Sequence, residues 1–239
     1  MLVLDWRPDP AQPEQAALAV SVAWVAGVRA LCVSGLADRC GFAPDAGVSE
    51  LRLARVLRSL PRTELDVSLR LDLGPGPPPG CGCRPAHPVQ RTARESDGPA
   101  VRRAVLGALE RLGLDRFDTV YLDVAAGPEG AAAGEPWRAL RRLRAEGLVS
   151  AFGPAAPAER LAALLAGRTG AAAALLTGGR GTAPPEPLLA LAAERSVALL
   201  LDGWGQADRS AHPAVAGLLV AGLPTGRLRA AVSRVQHGS

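Results

Sequence analysis

Lysine is missing from all 239 residues, and every one of the 27 basic residues is arginine. That excludes Schiff-base chemistry and any proton relay built on a tuned ammonium, because a guanidinium keeps its charge at every pH near neutrality. Tyrosine occurs once, as Tyr121, and histidine three times, as His87, His212 and His237. Aromatic residues make up only 3% of the chain, so a core has to be built from alanine, leucine and valine. The same scarcity argues against a nucleic-acid surface, which interleaves stacking aromatics with its basic residues. The formal net charge is +4, but Arg102, Arg103, Arg138, Arg141, Arg142 and Arg144 fall on predicted helices and read as solvated faces. A chain this rich in Arg, Ala, Gly and Pro carries the signature of GC-rich codon usage and points to a high-GC bacterium.

No uninterrupted apolar run is long enough for a membrane span. Ala16–Val33 comes nearest, but Gly27 and Arg29 break it, and it reads as a buried helix followed by a buried strand. Met1-Leu-Val-Leu-Asp5 lacks the basic n-region of a signal peptide. Four cysteines without such a leader, Cys32, Cys40, Cys81 and Cys83, are expected to be reduced thiols of a cytoplasmic protein. Cys81-Gly-Cys83, even with Cys40 and His87, is tighter than structural zinc spacing, so no metal is expected.

What the chain does have is alternation. Val101, Val105, Leu109 and Leu112 recur at helical spacing, and Gly113 follows as a stop. Thr119–Asp123 is then a short apolar run ending in a carboxylate, as expected of a strand buried on both faces. The same reading predicts strands over Leu2–Asp5, Val28–Ser34, Leu65–Leu73, Val149–Gly153, Ala172–Thr177, Val197–Asp202 and Val215–Leu223. Helices are predicted over Gln15–Ala26, Ser49–Leu60, Ala100–Leu112, Trp137–Glu146, Ala158–Ala166, Pro187–Arg195 and Arg227–Val235. In the first helix Leu18, Val22 and Val25 are expected to form the packed side, and Ser49 is expected to cap the second.

Residues 74–97 form a Pro/Gly-rich loop insertion. Eight strands alternating with helices in one domain over 1–239 predict an α/β fold, a (β/α)8 barrel. It is shortened, with no helix between strands 7 and 8, where Gly203–Pro213 is a short loop. An open doubly wound sheet is the structural rival.

In a barrel the C-terminal strand ends converge at one mouth. Asp5, Cys32, Arg70, Asp72, Asp123, Thr177 and Asp202 stand there, with Trp6 and Trp204 expected as apolar walls. Arg70 among Asp5, Asp123 and Asp202 is either an ion network that stabilises the mouth or a site for an anion or carbonyl with an aspartate as base. Neighbouring strands lie about 4.8 Å apart, so Arg70 and Asp123 should reach each other, with Cys32 on the other side of Arg70. Cys32 has no histidine near it in sequence and reads as a small buried residue rather than a nucleophile.

Four segments carry a family resemblance. Leu109-Glu-Arg-Leu-Gly-Leu-Asp-Arg-Phe-Asp-Thr-Val-Tyr-Leu122 resembles the helix 3–strand 4 junction of aldo-keto reductases, above all the bacterial aldose-dehydrogenase-like branch. Ala26-Gly-Val-Arg29, Gly47-Val-Ser-Glu50 and Arg144-Ala-Glu-Gly-Leu-Val-Ser-Ala-Phe-Gly153 are similar to other segments of that family, in the same order. The resemblance implies NAD(P)H-dependent carbonyl reduction by an Asp, a Tyr proton donor, a Lys that lowers its pKa, and a His. Those positions fall here on Cys32, Ala37, Arg70 and Asp123, so none of the four is kept.

The implied nicotinamide contacts fall on Ala155 and Ala156, and the Gln expected after strand 6 has no counterpart in Ala172–Arg180. The implied phosphate loop keeps Gly222 and Thr225 but has Pro224 for its arginine, leaving NADP a weak possibility through Gly222 and Thr225. The expectation is a degenerate barrel without hydride transfer, a pseudoenzyme that binds a small-molecule ligand or assists a pathway enzyme. The alternatives are a non-redox isomerase, lyase or cyclase with Asp123 as base and Arg70 as clamp, and a reductase with a rebuilt site.

Overall fold

A computed structural model describes residues 1–6, 13–34, 48–72, 98–123, 134–167, 170–178, 183–202 and 212–221. The strands are β1 (Leu2–Trp6), β2 (Ala30–Ser34), β3 (Asp66–Asp72), β4 (Phe117–Asp123), β5 (Val149–Ala156), β6 (Ala173–Leu176), β7 (Ala198–Asp202) and β8 (Val215–Ala221). The helices are α1 (Pro13–Val25), α2 (Val48–Arg58), α3 (Gly98–Leu112), α4 (Glu135–Ala145), α5 (Ala158–Ala166) and α6 (Glu186–Glu194). All strands are parallel and close in chain order, with β8 pairing back to β1, so the fold is a (β/α)8 barrel. The 74–97 insertion, residues 203–211 between β7 and β8, and the expected last helix lie outside the described residues. Among those residues no helix is long and apolar enough to cross a membrane.

The sheet has two apolar faces because successive side chains point to opposite sides. Val3, Ala30, Cys32, Tyr121, Ala155, Ala173, Leu175, Leu200 and Leu219 fill the barrel. Their neighbours, including Leu4, Leu31, Leu69, Leu122, Phe152 and Leu201, pack outward under the helices. This double burial is why the strands read as continuous apolar runs.

Two expectations about helices need correction. In α1 the buried residues are Ala17, Val20 and Ala23, whereas Leu18 is 57% and Val25 82% exposed. The helix is apolar nearly all round, so spacing could not choose its face, and two alanines flanking a valine allow the closer approach. Ser49 lies inside α2, which begins at Val48, and so is not its cap. Strand β5 also runs three residues past Gly153, the end expected for it.

Four helices hand over to the next strand in one way. Val28, Leu114, Leu148 and Val197 donate their N–H to the carbonyls of Ala23, Leu109, Leu143 and Ala192, at 2.8–3.0 Å. The residue before each is left-handed: Gly27 (φ 90°), Gly113 (65°), Gly147 (78°) and Ser196 (54°). Only Ser196 carries a Cβ there, which costs about 1–2 kcal/mol for an L-residue. Glycine returns part of that through its unfolded-state freedom, about 0.5–1 kcal/mol. Ser196→Gly is therefore expected to stabilise the protein by roughly 0.5–1 kcal/mol; a lower thermal midpoint would refute the assignment.

Candidate active site

The site grows from the β3–β4 seam. Their register sets Arg70 beside Tyr121 and Asp72 beside Asp123, so it is Asp72 and not Arg70 that lies level with Asp123 at the strand end. An arginine is long enough to span the difference. Its Nη2 donates to Asp123 Oδ2 at 2.5 Å and its Nε donates to the same oxygen at 3.1 Å. The two side chains are 17% and 12% exposed, so the pair is largely shielded from water. Burial alone would lower the guanidinium pKa, but the Asp123 hydrogen bond and charge, with Asp5 and Asp202 adding theirs, raise it above its ordinary value. Among the described residues, Arg70 is thus a fixed cation of the mouth under the influence of carboxylates carried by β1, β4 and β7.

The neighbours of this pair differ from the expected set. Cys32 aligns with Ser68, and it is Ser34 that stands beside Arg70. Cys32 is fully buried inside the barrel with Tyr121, which accords with the reading of a small core residue. Burial, and secondarily Cys32, push the Tyr121 phenol well above the usual tyrosine range. Trp6 is 2% exposed and packs between the sheet and the helices, so it forms no wall of the mouth. The inward positions of β1 are Val3 and Asp5, and Trp6 takes the opposite face.

Thr177 and Asp202 belong to the mouth by the same alternation. Leu175 and Leu200 point into the barrel, and Thr177 and Asp202 stand two residues further on. Leu176 aligns with Leu201, which puts Thr177 next to Asp202 on adjoining strands. Each is 8% exposed. At the end of β5, Ala155 and Ala156 are both fully buried. Ala37, Trp204, Gly222, Thr225, Cys40, Cys81, Cys83, His87 and His237 lie outside the described residues. His212 precedes β8, at the strand end away from the mouth, and its Nδ1 accepts the Ala214 N–H at 3.2 Å.

A second buried charge pair escaped the sequence reading. Glu50, in the segment similar to the family's Gly-x-Ser-Glu, has no exposed surface, and its Oε2 accepts Arg111 Nε at 2.5 Å. It ties α2 to α3 outside the barrel and has no part in the mouth. A sequence spacing of 61 residues gave no signal for it. Among the described residues no group of three or more His, Cys, Asp or Glu is arranged to hold a metal ion.

The closed parallel barrel is similar in fold to solved aldo-keto reductase structures. The chain superposes over its full length on 90% of the PA4992 protein of Pseudomonas aeruginosa, classed with that family, with a TM-score of 0.70 and 20% identity. The aldo-keto reductase AKR11C1 of Bacillus halodurans, in its holo form, gives a TM-score of 0.71 at 15% identity over 98% of this chain and 86% of that one. In sequence the chain is similar to a D-threo-aldose 1-dehydrogenase of a Pseudomonas species, 34% identical over 149 residues. That match takes in 59% of this chain and 43% of the dehydrogenase, so the chain spans less than half of that relative. No family model matches it.

Proposed function

We propose that this chain is a diverged aldo-keto-reductase-like barrel that has lost hydride transfer and binds a small molecule at its mouth, acting alone or beside a pathway enzyme. The observation that carries this reading is the Arg70–Asp123 pair. Where the resemblance places the family's Lys and His stand a guanidinium and a carboxylate locked together at 2.5 Å. A guanidinium held in its charged form has no proton to relay at neutral pH. No lysine exists elsewhere to replace it, and the one phenol, Tyr121, lies buried in the barrel with its proton held tightly.

The described residues also fit a nicotinamide poorly. Where the resemblance places the partners of its amide, Ala155 offers the mouth only a methyl group and Ala156 packs outward under the helices. A dinucleotide brings negative phosphates, while among the described residues Arg70 is engaged by Asp123 and lies in the field of Asp5 and Asp202. The non-redox alternative is the weaker reading, because its proposed base, Asp123, is already engaged by Arg70.

The test is calorimetry of the intact chain with NADPH and with NADH, followed by a panel of aldehydes monitored through nicotinamide absorbance. The expected result is no micromolar binding and no turnover. Micromolar affinity together with aldehyde-dependent oxidation of the cofactor would establish a reductase with a rebuilt site instead.

A further inference from the structure

We propose that the strand-end pair Thr177–Asp202 is a subsite for a primary ammonium group, so that the small molecule taken up at the mouth is an organic amine. The inference rests on the reading of the mouth as a ligand site and goes further by assigning the head group. Three observations carry it. Thr177 and Asp202 lie next to each other at the ends of β6 and β7, both facing into the barrel mouth. Each is more than nine-tenths buried, at 8% exposure. Neither side chain makes a hydrogen bond or a close ion pair with any described residue. Asp202 feels Arg70 only at a distance, since the Nη2 and Nε hydrogens of Arg70 are directed at Asp123.

A largely shielded carboxylate and hydroxyl without a donor among the described residues gain hydrogen bonds once a ligand donates to them. An ammonium supplies three donors and no acceptor, which matches a carboxylate beside a hydroxyl. Among the described residues the charged group at this corner is the Asp202 carboxylate itself, which repels an anionic head group and attracts an ammonium. On the neighbouring β5, Ala155 is the inward residue, and it extends no more than a methyl towards this corner.

The experiment uses three probes with one carbon skeleton, n-butylammonium, n-butanol and n-butyrate, titrated calorimetrically into the intact chain. Butylammonium is expected to bind, butanol to bind at least tenfold more weakly, and butyrate not at all. Asp202→Asn should weaken butylammonium tenfold or more, and Thr177→Val severalfold. The exposed Glu194→Gln should leave it unchanged, which separates the subsite from general charge attraction. Asp202→Asn should melt close to the wild-type midpoint, so that lost binding is not lost folding. Equal binding of butylammonium to wild type and Asp202→Asn would overturn the proposal. Butanol binding as well as butylammonium would overturn the ammonium assignment while leaving a small-molecule mouth in place. Failure of all three probes would remove both.

Discussion

Among the described glycines, Gly153→Ala should be the most damaging substitution. A Cβ on Gly153 would sit 1.5 Å from the carbonyl oxygen of Ala173 and 2.6 Å from its carbonyl carbon. Both obstacles are backbone, so no rotamer change relieves them. Beside this point β5 and β6 are joined through Ala155–Leu175 and Ala156–Leu176 and by the Ala172 N–H to the Phe152 carbonyl. Parting the strands far enough to admit a methyl would break that short seam. Overpacking in a core costs about 1–3 kcal/mol where side chains can yield; here the loss should exceed about 3 kcal/mol. Gly147→Ala is the control: it has a left-handed backbone with nothing within 4 Å of the added carbon, and should cost only about 1–2 kcal/mol. Equal denaturation midpoints for the two variants would show that the seam is looser than described.

The second large effect is expected at Asp123. Its removal leaves a shielded guanidinium without its hydrogen-bonded partner, a situation that costs about 3–5 kcal/mol. Asp5 and Asp202 still face Arg70, so Asp123→Ala should fall near the lower end, about 3 kcal/mol. Asp123→Asn keeps an acceptor for the guanidinium and should lose roughly half as much. Replacing both partners, Arg70→Met with Asp123→Leu, removes the stranded charge along with the pair and should stay within about 1 kcal/mol of wild type. Urea denaturation of the four proteins decides the matter. If Asp123→Ala is no less stable than Asp123→Asn, the pair is not the electrostatic centre of the mouth.

Much of the architecture was legible because each level of the chain repeats it. The glycine stops at Gly27, Gly113 and Gly147 mark helix ends independently of any apolar pattern, and the runs between them are too short and too apolar for anything but strands buried on both faces. The Arg70–Asp123 contact was legible for the same reason: both lie on inward positions near the ends of adjoining strands. The failures have equally local causes. Leu18 and Val25 misled because an all-apolar helix has no periodic face to read. Trp6 misled because neighbouring residues of a strand take opposite faces, so a place at the strand end does not by itself put a side chain in the mouth. Thr177 and Asp202 were visible as strand ends, but that they share a corner depends on register, which propensity does not encode. Glu50 and Arg111 are far apart in sequence, and nothing local foretells their bond.

The closure of the barrel has a consequence for how the chain folds. Leu2–Asp5 pair with Leu218–Ala221, and the Met1 carbonyl accepts the Leu218 N–H at 2.9 Å. The first strand therefore gains its second neighbour only from the last. While the chain is being made, β1 to β7 can assemble as an open sheet with two bare edges, each with unpaired backbone groups able to recruit another chain. A sheet held open in this way is aggregation-prone until β8 emerges, and the slow step of folding should be a ring closure over most of the chain's length.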